Sequence, residues 1–210
     1  MEYLFLVVTL IVVLGTGFFK ARTSVNSLVD DYNLVNEFHG KFIQMVKDHQ
    51  QGQLNGQVYN WLVSYMDKVQ VMLGSYGLAY YTGPYNRVQV PNYPYILNTI
   101  PHVRMRVVND HDLMVCDDML VRYLGGLKRI IEDEEKLLKK PTAWLQLGIR
   151  YYIGLPVRLL YWFGIISSSS FDKITSSPIF KIVSGIGALA GFLAALIQIL
   201  QAWPFILGLF

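Results

Sequence analysis

The residues with the clearest chemical potential stand in the run RMRVVNDH, residues 104–111. Arg106 is followed by four residues and then His111, and Arg104 precedes the same histidine with six between. Histidine exchanges a proton near neutral pH, whereas arginine carries a fixed positive charge. The pair therefore offers a proton-transfer group beside a cation. Overlapping it, DHDLMVCDD supplies Asp110, Asp112, Asp117 and Asp118. Such carboxylates suit a divalent ion, but a helix N-terminus attracts acids through its dipole alone. Other site chemistries are missing. There is no GxxxxGKS or GxxxxGKT phosphate cradle, no GxGxxG fingerprint and no HExxH helix. His39, His49, His102 and His111 are scattered, so a histidine-rich metal site has no local support. No metal and no cofactor is expected. The single Cys116 excludes an intramolecular disulfide and any multi-cysteine metal site, and its apolar-periodic surroundings make it a small core residue.

The Arg106–His111 spacing resembles the Arg-x(4–6)-His motif of RNA-cleaving HEPN domains. The resemblance implies a metal-independent RNase site. The histidine would move protons around the 2′-hydroxyl and the leaving oxygen, and the arginine would offset charge on the scissile phosphate. Such sites form where two HEPN copies meet, so self-association is implied too. Val107 stands where that family often has a polar residue beside the arginine.

What must position these residues is an unusually apolar chain. Of its 210 residues 53% are hydrophobic and only 16% charged, against roughly 25% in ordinary soluble domains. Mean hydropathy is +0.33. A soluble chain this short lacks the interior volume to hide that much apolar surface. The net charge of +3 is too mild to indicate a nucleic-acid partner by itself. Its distribution says more, because all 18 Lys and Arg residues lie between Lys20 and Lys181.

Both ends are nearly bare of charge. Residues 3–19 contain none, which is the lower limit for a helix crossing about 30 Å of hydrocarbon. A signal peptide would want a basic start and a small-residue cleavage site; Glu2 and GTGFFKA supply neither well. The 29 residues after Lys181 are also uncharged, with only Ser184 and Gln198 polar between Ile182 and Leu200, and Trp203-Pro204 beyond. That is span length with an aromatic at the exit. The third apolar stretch, 144–166, carries Arg150, Arg158 and Pro156. Two arginines cost several kcal/mol in hydrocarbon, so this stretch reads as interfacial or oligomer-lining, with snorkelling arginines. Lys20 and Arg22 follow the first span, and Lys173 and Lys181 precede the last. The positive-inside rule then puts the middle of the chain in the cytoplasm and both termini outside.

The middle reads as helical. Leu28, Val35, Phe38, Phe42 and Val46 repeat at helical spacing over 24–49, continuous with the first span. A turn at 50–57 precedes a second helix through VYNWLVSYMDKVQVML. Residues 74–101 hold three glycines, four prolines and six tyrosines and read as an aromatic loop, with a short strand at RVQV. Only Arg87 accompanies those tyrosines, which favours packing over base stacking. A helix from Asn109 to Lys140 follows, ended by Pro141.

The expected fold class is all-α: an integral membrane protein with N-terminal and C-terminal transmembrane helices and a helical cytoplasmic body. Its parts are an anchor (1–20), a cytoplasmic helical domain with the aromatic loop (21–140), an amphipathic interfacial region (141–181), a transmembrane helix (182–203) and a hydrophobic tail (204–210). Within the last span, Gly187 and Gly191 form a small-xxx-small ridge beside Ser184, of the kind that lets helices approach closely. Gln198 and Gln201 are costly facing lipid and suit inter-subunit hydrogen bonds or a wet lumen.

This architecture, with its divergent Arg106-x4-His111, resembles the membrane accessory proteins encoded beside the RNA-guided RNase of type VI-B CRISPR systems. The second hydrophobic end departs from that group's anchored HEPN type. The resemblance implies antiviral defence at the inner (plasma) membrane. It also implies an oligomer that permeabilises the bilayer or modulates RNA interference, with the RNA-guided nuclease or RNA as partner. A membrane-tethered scaffold and a tethered RNase are the alternatives.

Overall fold

The computed structural model describes residues 2–82, 89–165 and 167–180, together with 182 and 186. The chain is mostly helical, with one small hairpin. In order come α1 (Glu2–Gln50), α2 (Gly56–Leu73), a 3-10 turn (Gly74–Gly77), β1 (Leu78–Thr82), β2 (Gln89–Pro94), α3 (Tyr95–Met105), α4 (Asp110–Leu138), α5 (Pro141–Ile153), α6 (Leu155–Trp162) and α7 (Ser168–Ser176). They sort into two compact units: Asn26–Asp133, and Met1–Val25 with Glu134–Phe210.

No proline interrupts residues 2–50, so α1 runs unbroken for 49 residues through both the apolar run and the amphipathic segment. It stops where Gly52 adopts φ +75°, a left-handed conformation open to glycine. The start of α2 is capped by Asn55, whose Oδ1 accepts from the backbone N–H of Gln57 and Val58 at 3.0 and 3.3 Å.

In the central unit, Val35, Phe38, Phe42 and Met45 of α1 are fully buried. They meet Leu62, Val69 and Leu73 of α2, Ile96, Ile100 and Val103 of α3, and Leu113, Cys116 and Leu120 of α4 in one core. Each large aliphatic or aromatic side chain removed from water contributes about 1.5–3 kcal/mol, which gives this unit its principal stabilisation. Of the positions expected on α1, Val35, Phe38 and Phe42 are core, while Val46 packs only partly. On α2 the core side chains are Val58, Tyr59, Leu62, Val69 and Leu73, with Trp61, Tyr65 and Met72 partly buried against them. Cys116 is buried as expected. Burial pushes its thiol up to about 12, with a Thr99 hydrogen bond pulling back, so it stays protonated and inert.

The 74–101 segment differs from the irregular loop expected. β1 and β2 pair antiparallel, and α3 already begins at Tyr95. Between the pairs Ala79–Tyr93 and Tyr81–Val90, β2 carries one extra residue, and Asn92 there takes φ +56°. This is a β-bulge, and it places Pro91 where no ladder hydrogen bond is needed. Tyr81 stacks on Tyr93 at 4.6 Å, and Tyr95 meets Tyr93 edge-on at 5.0 Å. The tyrosines are thus packing residues, and their cross-strand pairing turns an apparently loop-like composition into a hairpin. Of the expected strand RVQV, Gln89 and Val90 lie in β2; Arg87 and Val88 lie outside the described residues.

In the terminal unit, α5 packs directly on the first half of α1. A Cβ added to Gly17 would stand 1.8 Å from the Trp144 carbonyl oxygen, and one on Gly148 would stand 2.1 Å from that of Val13. Two glycines facing opposite backbones let the helices touch. Phe18 meets the Trp144 ring edge-on at 5.1 Å, and Thr16 Oγ1 lies 3.0 Å from the Tyr152 hydroxyl. The 144–166 stretch is broken at Gly154 into α5 and α6, with Pro156 second in α6, where a missing N–H costs nothing. Apart from Ile182 and Ile186, the expected C-terminal transmembrane helix (182–203) and tail (204–210) lie outside the described residues.

Val7–Gln50 is, among the described residues, the one helix long and apolar enough to cross a bilayer, and only 11% of its most apolar window is buried. Val7, Val8, Ile11, Val12 and Phe19 are exposed, Ile11 by 62% and Phe19 by 71%. The core helix of a soluble domain would be covered. This one is bare.

Candidate functional site

Two places gather functional side chains, one in each unit. In the central unit the turn between α3 and α4 carries Arg106 and His111. α3 ends in a Schellman motif: the Val107 N–H donates to the His102 carbonyl at 3.2 Å and the Arg106 N–H to the Val103 carbonyl at 3.1 Å. This holds Arg106 at φ 56°, ψ 30°, the left-handed position usually given to glycine. Three residues on, Asn109 caps α4: its Oδ1 accepts from the His111 N–H at 3.1 Å, and its carbonyl accepts from Asp112 and Leu113. Arg106 and His111 thus flank one turn, both exposed to solvent. The alternative arginine, Arg104, lies against the Tyr59 ring at 5.5 Å. Arg104 thus has a ring partner on α2, while Arg106 sits at the turn itself.

Beneath the turn lies Asp112. Burial raises its carboxyl above the usual carboxylate range, and the positive charge of His111 and His102 partly offsets this. Burial likewise raises the Tyr93 and Tyr95 hydroxyls, with Tyr81 and Asp112 adding to it at Tyr93 and Asp112 and Tyr81 at Tyr95. Further along α4, Asp117 Oδ1 lies 2.7 Å from His39 Nε2 on α1. Asp117 is thus spent on a helix–helix contact, and Asp110 and Asp112 occupy the first turn of α4, where the dipole favours acids. No three His, Cys, Asp or Glu side chains converge as a metal site among the described residues. A cavity of about 320 Å³ lies between α1 and α4, lined by Phe42, Ile43, Val46, Leu113 and Met114 with Asp110 and Asp117 at its polar side.

The terminal unit holds the second place. Arg150 of α5 and Arg158 of α6 line a cleft of about 560 Å³ together with Lys20 of α1, Tyr151 and Asp172. Lys20 Nζ stands 5.0 Å from the centre of the Tyr151 ring, and Arg158 Cζ stands 4.9 Å from the same centre. Sequence reasoning named both arginines but missed Lys20 and Tyr151. The signal was present in part: Lys20 is the first cation after the uncharged run, and Tyr151 adjoins Arg150. That the three cations converge depends on the break at Gly154 and the glycine contact between α1 and α5. Ser184, Gly187, Gly191, Gln198 and Gln201, expected to serve an oligomer or pore, lie outside the described residues.

The chain matches no protein family, no curated protein and no solved structure.

Proposed function

We propose that this chain is a multi-pass membrane protein that assembles with copies of itself and permeabilises the bilayer, as an effector or accessory of CRISPR-type antiviral defence. The observation that supports it is the uncovered apolar half of α1. Five large hydrophobic side chains between Val7 and Phe19 face away from the protein. At about 1.5–3 kcal/mol each, leaving them in water is costly, and lipid removes that cost. The second apolar end, 182–203, makes a second span in this reading. Lys20, Arg22, Lys173 and Lys181 hold the middle of the chain in the cytoplasm. Gly187 and Gly191 give neighbouring copies a close-approach ridge, and Gln198 and Gln201 give them hydrogen bonds or a wet lining.

Induced expression in bacteria tests this directly through dye uptake and membrane potential. The wild type admits the dye and collapses the potential. Gln198→Leu and Gly187→Leu still insert but leave the membrane sealed. A membrane that stays polarised and dye-tight under the wild type sinks the proposal.

A second reading is favoured by the cavity between α1 and α4. There Phe42, Ile43, Val46 and Met114 offer an apolar slot with two carboxylates beside it. A scaffold would use it to tether a cytoplasmic partner, the RNA-guided nuclease being the one that the family resemblance implies. Sealed membranes together with binding of that nuclease lost in Val46→Arg would select this reading.

A further inference from the structure

We infer that the cleft between α1, α5, α6 and α7 is a binding site for the phosphate headgroup of an anionic phospholipid. The inference rests on the reading that the first half of α1 lies in the bilayer.

Three cations from three different helices, Lys20, Arg150 and Arg158, line one cleft with a single carboxylate, Asp172. Neither arginine forms an ion pair with an acid among the described residues. Two of the cations crowd one ring, with Lys20 and Arg158 each about 5 Å from the centre of Tyr151. The ring's quadrupole attracts each cation but does not cancel the repulsion between them. An anion does both. The approach is also built into the backbone. Gly154 ends α5 and opens α6, its N–H donating to the Arg150 carbonyl at 3.1 Å and its own carbonyl accepting from the Arg158 N–H at 3.1 Å. A Cβ there would stand 3.3 Å from the Arg150 carbonyl and 3.9 Å from the Arg158 guanidinium Nε, so the junction between the two arginine-bearing helices is tight around this glycine.

Depth selects the ligand. Lys20 is the first charged residue after the uncharged run 3–19, which places it at headgroup level when that run spans the hydrocarbon. Leu147, Phe171 and Phe180 line the same cleft and give an acyl chain an apolar wall. Guanidinium groups bind phosphate oxygens in bidentate fashion, and an ammonium adds a point charge. The resulting chemistry is a phosphate held by two arginines and a lysine. Its source is a lipid rather than free phosphate, because the cleft combines cations with apolar lining at that depth.

The test uses the full-length protein purified in a neutral detergent. Bound lipid is counted by native mass spectrometry against phosphatidylglycerol, phosphatidylcholine and inorganic phosphate. The expected result is selective retention of phosphatidylglycerol, with about tenfold weaker binding in Arg158→Gln and in Arg150→Gln, the scale of one lost charge-assisted hydrogen bond. Arg22→Gln removes a cation near the same span but outside the cleft, and binding there should stay within about twofold. Equal binding of phosphatidylcholine overturns the inference, as does wild-type binding in both arginine variants or an equal loss in Arg22→Gln. Displacement of the lipid by millimolar inorganic phosphate makes the cleft a free-anion site and overturns the lipid assignment. Circular dichroism of each variant separates lost binding from lost fold. Failure of the membrane reading looks different: the protein then stays dispersed without detergent. A protein that needs detergent yet ignores phosphatidylglycerol defeats only the headgroup site.

Discussion

At the scale of single residues, Arg106 and Asp112 carry measurable costs. Arg106 occupies the left-handed C′ position of α3, where an L side chain is disfavoured by about 1–2 kcal/mol and glycine is not. Arg106→Gly should therefore be more stable than Arg106→Ala by about 1 kcal/mol in chemical unfolding, although both lose the guanidinium. Equal stabilities would mean that the turn is not left-handed in solution. The same pair serves the alternative RNase reading. Cleavage lost equally in Arg106→Gly, Arg106→Ala and His111→Ala would indicate chemistry at the turn, because the first two differ in strain and share only the missing charge. Asp112 gives a pH signature. Burial raises its carboxyl in the folded state, so it binds its proton more tightly folded than unfolded. Its contribution to stability is whole below the ordinary carboxylate pKa and is lost as pH rises through the raised folded value. Asp112→Asn removes that loss, so the stability of the variant relative to wild type should improve from pH 4 to pH 7. A difference that is flat across this range, read from denaturant midpoints, would show that Asp112 is well solvated.

Among the elements, the contact between α1 and α5 gives the most direct test. Glycine inside a helix is ordinarily worse than alanine by about 1 kcal/mol, so Gly→Ala usually stabilises. At Gly17 and Gly148 the added methyl would overlap backbone atoms of the facing helix at 1.8 and 2.1 Å. There Gly→Ala should instead destabilise by about 1–3 kcal/mol, the usual cost of overpacking. Gly15, two residues away with nothing within 4 Å, should tolerate alanine or gain from it. Thermal unfolding in detergent ranks the three; similar midpoints for Gly15→Ala and Gly17→Ala would refute the contact. This packing also marks where sequence reading stopped. The long run of α1 and the limits of α2 and α4 follow from local rules of period, proline and capping, and were legible; the break of 144–166 at Gly154 was not. The bulged hairpin was hidden by its composition, because glycine, proline and tyrosine read as loop until cross-strand pairs are known. Convergence of Lys20 with Arg150 and Arg158 was illegible too. Residues 130 positions apart meet only through a helix contact whose sole sequence trace is a pair of glycines.

For the molecule as a whole, the two units differ in how far their apolar side chains are covered. Asn26–Asp133 has a continuous core drawn from α1, α2, α3 and α4, with its charged residues outside. The unit of Met1–Val25 and Glu134–Phe210 leaves large apolar side chains uncovered, among them Ile11, Phe19, Trp162, Phe163 and Ile179. A domain of about 110 residues buries enough surface to fold alone, whereas an uncovered apolar array of this kind needs lipid or another chain. Residues 26–133 expressed alone should therefore be soluble without detergent and unfold in one cooperative step. Its denaturant slope should lie near the 1–3 kcal/mol/M in urea of small two-state domains. The full chain should pellet with membranes and resist extraction by high salt and alkaline carbonate. A fragment that aggregates would mean that its core depends on the terminal residues. A full chain released by carbonate would mean that the apolar half of α1 is covered by protein, and the permeabilising role, the span topology and the headgroup site would all lose their footing together.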